Sequence, residues 1–180
     1  KFDAIIWSAG NYWGGVINET DLDLLKNYTG NILFEGSDIL FDNKDNEDLK
    51  KILHAQFRND LKLDNNAFLI LKEHEILDNI TEIEIDYTIS PYPDSLIVLD
   101  GYSVAEWEDN GSAIIIHDNG NRVVYFGFAV NSVNENSREK LILNSVKWLF
   151  EEEQIIGYGD VNSANKVNIL DVVKTINHII

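Results

Sequence analysis

Three short runs of unbroken apolar character, Ala4-Ile5-Ile6-Trp7, Ile32-Leu33-Phe34 and Leu96-Ile97-Val98-Leu99, constrain this chain more than any other feature. Strands buried on both faces need such runs, because neither side of the sheet meets water, and they need helices to cover each side. Between the first two runs, Leu22, Leu25 and Tyr28 share one helical face of segment 20–28, and Gly30 is placed to end that helix. The unit is strand, helix, strand. The spacing predicts a second helix over 47–57, with Leu49, Ile52, Leu53 and Phe57 on one side. A helix over 137–150 is expected from Leu141, Ile142, Val146, Leu149 and Phe150, with Trp148 at the border of that face. The expected class is α/β, a mostly parallel sheet with helices on both faces.

The middle of the chain has a different period. Ile83, Ile85, Tyr87 and Ile89 alternate with Glu82, Glu84, Asp86 and Thr88, which predicts an edge or antiparallel strand wet on one face. Segments 113–117 and 122–128 flank Asp118-Asn119-Gly120-Asn121, a turn rich in residues that tolerate positive φ, and are expected to form a hairpin. The acidic stretch Glu151-Glu152-Glu153-Gln154 sets a boundary near 151–156, between a domain over 1–150 and a small appendage over 157–180.

Several function classes are removed by composition. Thirty-one acidic against fourteen basic residues give a formal net charge of −17, which repels nucleic acid and anionic lipid, so neither is an expected partner. With no cysteine there is no disulfide, thiolate metal site or cysteine nucleophile. No apolar run approaches the roughly 18 residues of a membrane span, so no membrane insertion is expected. The chain has no methionine and opens at Lys1-Phe2-Asp3, as expected of a piece of a longer protein.

His54, His74, His117 and His178 show no metal-ligand spacing such as two on one helical turn, and each alone is expected to be a surface or core residue. Only His117, beside Asp118 at the end of a predicted strand, is a candidate base. The polar cluster 42–48 suits a loop capping the next helix better than a second cation site. Asn18, Asn27, Asn79 and Asn110 match the glycosylation sequon, a match that arises by chance in an asparagine-rich chain. Tyr12, Trp13, Tyr92 and Trp107 fall in expected loops, where packing over the loops is the expectation and stacking on a sugar ring the alternative.

The segment Asp160-Val161-Asn162-Ser163-Ala164-Asn165-Lys166-Val167-Asn168-Ile169-Leu170-Asp171 is twelve residues long, with oxygen-bearing side chains at positions 1, 3, 9 and 12. Calcium takes six to eight oxygen ligands, and a twelve-residue loop supplies them at alternate positions plus the backbone carbonyl of position 7, here Lys166. Val172, Val173, Ile176, Ile179 and Ile180 continue as an amphipathic helix. The segment resembles one repeat of a dockerin module, in which Gly-Asp-Val-Asn opens the loop and a Val-Val helix ending near Ile-Asn-His-Ile follows it. That resemblance implies calcium bound by Asp160, Asn162, Asn168 and Asp171 with the Lys166 carbonyl, and a helix that meets a cohesin-type receptor. Ala164 stands where the repeat usually has an acidic ligand, and Asn165 where it usually has glycine. One ligand is thus missing, so a degenerate loop without metal is the other reading; dockerins also carry two repeats where this chain shows one, which leaves a complete receptor-binding face unexpected.

Asp3-Ala4-Ile5-Ile6-Trp7, Gly36-Ser37-Asp38 and Val124-Tyr125-Phe126-Gly127-Phe128 resemble a glutamine-amidotransferase-like domain that occurs as an accessory module in secreted microbial proteins, extracellular proteases among them. The resemblance implies a flavodoxin-like sandwich over 1–150, with the usual first strand lying before Lys1. Catalytic members of that fold place a cysteine or serine on a turn between strand and helix, with a histidine as base. Ser37 is the positional substitute, and Ser8 a second, but neither has the full glycine pattern of a nucleophile elbow. The expected function is a non-catalytic accessory region of a secreted or cell-surface protein, with a calcium-stabilised segment for assembly. A serine hydrolase or peptidase on the same fold is the rival, and a carbohydrate-binding module the third reading.

Overall fold

A computed structural model describes residues 3–150. In chain order the elements are β1 (Ala4–Gly10), α1 (Glu19–Lys26), β2 (Asn31–Gly36), α2 (Ile39–Asp42), α3 (Glu47–Leu53), β3 (Ala55–Asp60), β4 (Ala67–Phe68), β5 (Ile70–Leu71), β6 (Glu84–Ile85), β7 (Asp94–Val98), β8 (Tyr102–Glu106), β9 (Ser112–His117), β10 (Val123–Phe126) and α4 (Glu135–Leu149). The main sheet runs β1-β2-β10-β9-β7-β3, with β8 also on β9 and β5 on β8. Strands β1, β2 and β10 are parallel, with Ile6 opposite Leu33 and Val124 also opposite Leu33.

Both sides of this sheet are covered, which accounts for the apolar runs. Leu33, Ile114, Ile116, Val124 and Phe126 pack with Leu141, Ile142, Val146 and Leu149 of α4. Their strand neighbours Ile32, Phe34, Ile115, Val123 and Tyr125 pack on the other side with Leu25 of α1, Ile39 and Leu40 of α2, and Leu49 and Leu53 of α3. Burying each large apolar side chain contributes roughly 1.5–3 kcal/mol, so alternate residues of one strand stabilise two separate layers. Local signals start the helices: the Asn18 side chain accepts from the amides of Thr20 at 2.8 Å and Asp21 at 3.1 Å, while Asp21 accepts from the Asn18 amide at 3.1 Å. This reciprocal cap satisfies donors that α1 leaves open.

Three expectations are corrected. The sheet is mixed rather than mostly parallel: β7, which holds most of the third apolar run, is antiparallel to both β3 and β9. The helix expected to reach Phe57 stops at Leu53, because His54 turns left-handed at φ 52° and 55–60 pairs with β7 instead. Phe57 is half-buried on the strand, edge-on to Phe41 at 5.6 Å. The alternating segment 83–89 contributes only β6, paired with β4 in a separate two-stranded sheet. Asp86 ends it, since its carboxylate accepts from the Thr88 amide at 2.8 Å and folds the chain into a turn. Among the described residues, β1 forms the sheet edge beyond β2.

No helix among the described residues is long and apolar enough to cross a membrane.

Candidate functional site

Strand β2 delivers Glu35, Ser37 and Asp38 to the carboxyl end of the parallel strands, where ligands bind in open α/β sheets. Ser37 lies there without access to solvent. Its amide donates to the Gly10 carbonyl at 3.0 Å, and its Oγ shares a 2.7 Å hydrogen bond with the equally buried Ser90 Oγ. Ser8 donates its hydroxyl to Glu35 Oε1. Glu35 also accepts from the amides of Gly10 at 3.2 Å and Val130 at 2.8 Å, so it ties β1 and β2 to the turn after β10. Burial pushes the Glu35 carboxyl above the usual carboxylate range against the pull of these donors. Among the described residues, no hydrogen bond joins either serine to a histidine, which is the contact that would activate it.

Acidic groups gather at the same end. Asp94, which opens β7, is fully buried, and its Oδ2 accepts from the Tyr125 hydroxyl at 3.3 Å while Oδ1 has no hydrogen-bond partner among the described residues. Burial first, then the charges of Asp38 and Asp60, raise Asp94 well above the usual carboxylate range. Burial likewise raises Tyr125, with Asp94 adding to the effect. Asp38 is pushed up to about 6 by burial, then by Asp60 and Asp42. Carboxyls so placed hold protons where ordinary ones have lost them.

The opposite end of the sheet holds a different constellation. His117 closes β9 and is buried, whereas His54 joins α3 directly to β3. Their rings stack with centroids 3.4 Å apart and planes inclined by 5°. Asp100, exposed in the turn from β7 to β8, places Oδ2 at 3.9 Å from the Nδ1 atoms of both rings. The backbone sets this arrangement: the Leu99 amide donates to the His54 carbonyl at 3.0 Å, and Gly101 lies so close over β9 that an added Cβ would sit 2.3 Å from the Ile116 carbonyl oxygen. His117 Nε2 lies 3.1 Å from the Asn119 carbonyl oxygen. A carbonyl only accepts, so Nε2 of His117 carries a proton. Burial and the neighbouring His117 lower His54 to about 4, with Asp100 pulling the other way.

Other residues singled out in the sequence have structural partners. His74 Nδ1 accepts from the Ile76 amide at 3.2 Å, and its ring meets Trp148 edge-on at 5.7 Å. In the 42–48 cluster, Asn46 caps α3 through the amides of Asp48 and Leu49, and Asp48 pairs with Lys26 at 2.7 Å. Trp107 is buried with Nε1 donating to the Asp94 carbonyl at 3.1 Å, but Tyr12, Trp13 and Tyr92 are exposed rather than packed over loops. The candidate calcium ligands Asp160, Asn162, Lys166, Asn168 and Asp171, with His178, lie outside the described residues. Sequence reasoning missed the buried acids and the histidine pair. Asp100 and His117 are seventeen positions apart and His54 lies far upstream, so no local spacing announces them.

No family model and no curated protein matches the chain. In fold it is similar to the exo-beta-1,4-mannosidase Op5Man5 from Opitutaceae bacterium strain TAV5, at 10% identity and a TM-score of 0.52, over 72% of this chain and 21% of that one. It is also similar to a GMP synthase component from Thermoplasma acidophilum, at 15% identity and TM-score 0.51, over 80% of this chain and 71% of that one. The mmIFT52 N-terminal domain is similar at 13% identity and TM-score 0.57, over 87% of this chain and 79% of that one. The chain spans about a fifth of the mannosidase. At these identities the likeness shows the fold alone.

Proposed function

We propose that 1–150 is a non-catalytic, flavodoxin-like accessory module of the glutamine-amidotransferase-like kind, carried in a secreted or cell-surface protein, and that 157–180 is a dockerin-like calcium loop and helix serving assembly with a cohesin-type partner. One observation carries the first half: Ser37, at the nucleophile's position, is sealed from solvent against Ser90 instead of being presented to a histidine. A nucleophile must meet both its substrate and its base, and this serine meets neither. The similarity of the fold to about a fifth of a much longer mannosidase supports reading it as one module among others.

For the second half the support is the ligand spacing of 160–171. Asp160, Asn162 and Asp171 would hold calcium by their side chains, Lys166 by its carbonyl, and Asn168 through water. Because Ala164 offers no carboxylate, the expected affinity is modest, in roughly the micromolar to millimolar range that suits extracellular calcium.

Two measurements separate the halves. Calorimetric titration of calcium into the intact chain is expected to show one site that Asp160→Ala abolishes; no heat and no change in melting temperature at millimolar calcium would remove the assembly role. A fluorophosphonate probe is expected to leave the protein unlabelled. Stoichiometric labelling lost in Ser37→Ala or Ser8→Ala would establish the serine hydrolase instead.

A further inference from the structure

We propose that the carboxyl end of the parallel strands is a docking face for an arginine-bearing segment of a partner polypeptide, separate from the calcium loop. Four stretches of chain meet there. The Gly14 amide donates to Asp42 Oδ2 at 2.6 Å, the Ser37 amide to the Gly10 carbonyl at 3.0 Å, and Ser37 Oγ bonds Ser90 Oγ at 2.7 Å. Asp60, the last residue of β3, lies directly across the ladder from Asp94. The loop after β1, the turn after β2, the segment leading into β7 and the end of β3 are therefore joined in one rim.

This rim combines two chemistries. Tyr12, Trp13 and Tyr92 are 66%, 76% and 50% exposed, although rings of this size carry apolar area that a fold ordinarily covers. The same stretches carry Asp38, Asp42 and Asp60. Among the described residues, no hydrogen bond reaches the carboxylate of Asp38 or of Asp60. Asp94 lies beneath them. Residues directly opposed in an antiparallel ladder share a face, so its carboxylate rises on the side of Asp60, and its Oδ1 is buried without a partner among the described residues. Lys44, over the Phe41 ring at 5.6 Å, is the cation this end already has, and it acts on Asp60. The charges that act on Asp38 and Asp94 are all acidic.

That imbalance chooses the ligand. A neutral sugar stacks on exposed rings too, but it leaves the carboxylates repelling one another, and an anion adds to the repulsion. A cation offsets it. Guanidinium does so while lying flat on an aromatic ring and donating as a fork to a carboxylate, whereas a lysine ammonium is a strongly hydrated point charge. Arginine is also enriched at protein interfaces, together with tyrosine and tryptophan, while lysine is depleted.

The test is calorimetric titration of the peptide acetyl-Gly-Arg-Gly-Arg-Gly-amide into the intact chain at pH 8, beside the same peptide with citrulline in place of both arginines. Salt at about 150 mM screens the long-range pull of the net charge of −17. Asp38→Asn keeps the volume of a side chain that makes no cap bond, and Trp13→Ala trims an exposed ring, so both variants should retain the parent's circular dichroism. Glu139→Gln removes one exposed charge from α4, which packs on the other face of the sheet, and serves as the control. The arginine peptide is expected to bind the parent with a dissociation constant below about 1 mM. Asp38→Asn and Trp13→Ala should each weaken it at least fivefold, Glu139→Gln should leave it within a factor of two, and the citrulline peptide should not bind. Absence of binding to the parent, equal binding of the citrulline peptide, or equal affinity in all four proteins would overturn the proposal, the last by assigning the peptide to the overall negative charge.

Discussion

Replacing Asp38 with asparagine should stabilise this protein, and the gain should depend on pH in a way that identifies its cause. Asp38 is half-buried after β2, near Asp60, Asp42 and Asp94, and its side chain makes no cap bond to α2. Its carboxyl rises from 3.8 to about 6 on folding, so the folded state binds the proton more tightly than the unfolded state. Stability is then greatest below about pH 4, falls as pH rises from 4 to 6, and carries the full penalty above that. At 1.36 kcal/mol per pKa unit the penalty is about 3 kcal/mol, and solvent screening of a half-buried group brings it to about 1–1.5 kcal/mol. Asparagine removes the charge at nearly constant volume. Urea unfolding followed by tryptophan fluorescence should show Asp38→Asn more stable than the parent by about 1–1.5 kcal/mol at pH 8, with almost no difference at pH 4. A variant no more stable than the parent at pH 8, or one with the same gain at both pH values, would refute the account. Asp94 titrates in the same sense, so the variant should keep part of the parent's slope.

Glu35→Gln should cost about 1–3 kcal/mol in the same unfolding assay at pH 8, because either orientation of the amide aims its NH2 at the amide of Gly10 or Val130 and leaves a buried donor unpaired. Gly101→Ala should cost about 2–4 kcal/mol, since φ is +129° and the new Cβ would lie 2.3 Å from the Ile116 carbonyl oxygen.

The layered α/β arrangement was legible wherever hydrophobic pattern and strand burial are the same fact. Ile32-Leu33-Phe34 has no polar residue because its side chains feed two cores, and α4 declared itself through Leu141, Ile142 and Val146. Strand direction was not legible. The third apolar run would look the same in either orientation, and only the pairing of Leu96 with Phe57 and Ser112 sets it. The end of α3 was missed for a related reason, since Phe57 satisfies a helical face and a strand face equally well and tertiary pairing decides. As for the sites, spacing exposes only ligands that are neighbours along one element. Asp94 and Asp38 appear as ordinary surface acids until β7 is placed beside the turn after β2.

Asn31 shows how load would pass through the domain. Its amide donates to the Asp3 carbonyl at 3.0 Å, its side-chain NH2 to the carbonyl of Leu149, and its Oδ1 accepts from the Arg122 amide at 2.8 Å. One residue thus grips the start of β1 and the end of α4, at the same pole of the sheet. Tension applied through Asp3 and Phe150 would meet this clamp first. Beyond it, β1 is bonded among the described residues on one side only, to β2, so the strand would peel from its first residue, breaking the ladder one rung after another instead of shearing all rungs together. A fold fastened this way is mechanically soft along the line joining Asp3 and Phe150, however tightly its two cores are packed.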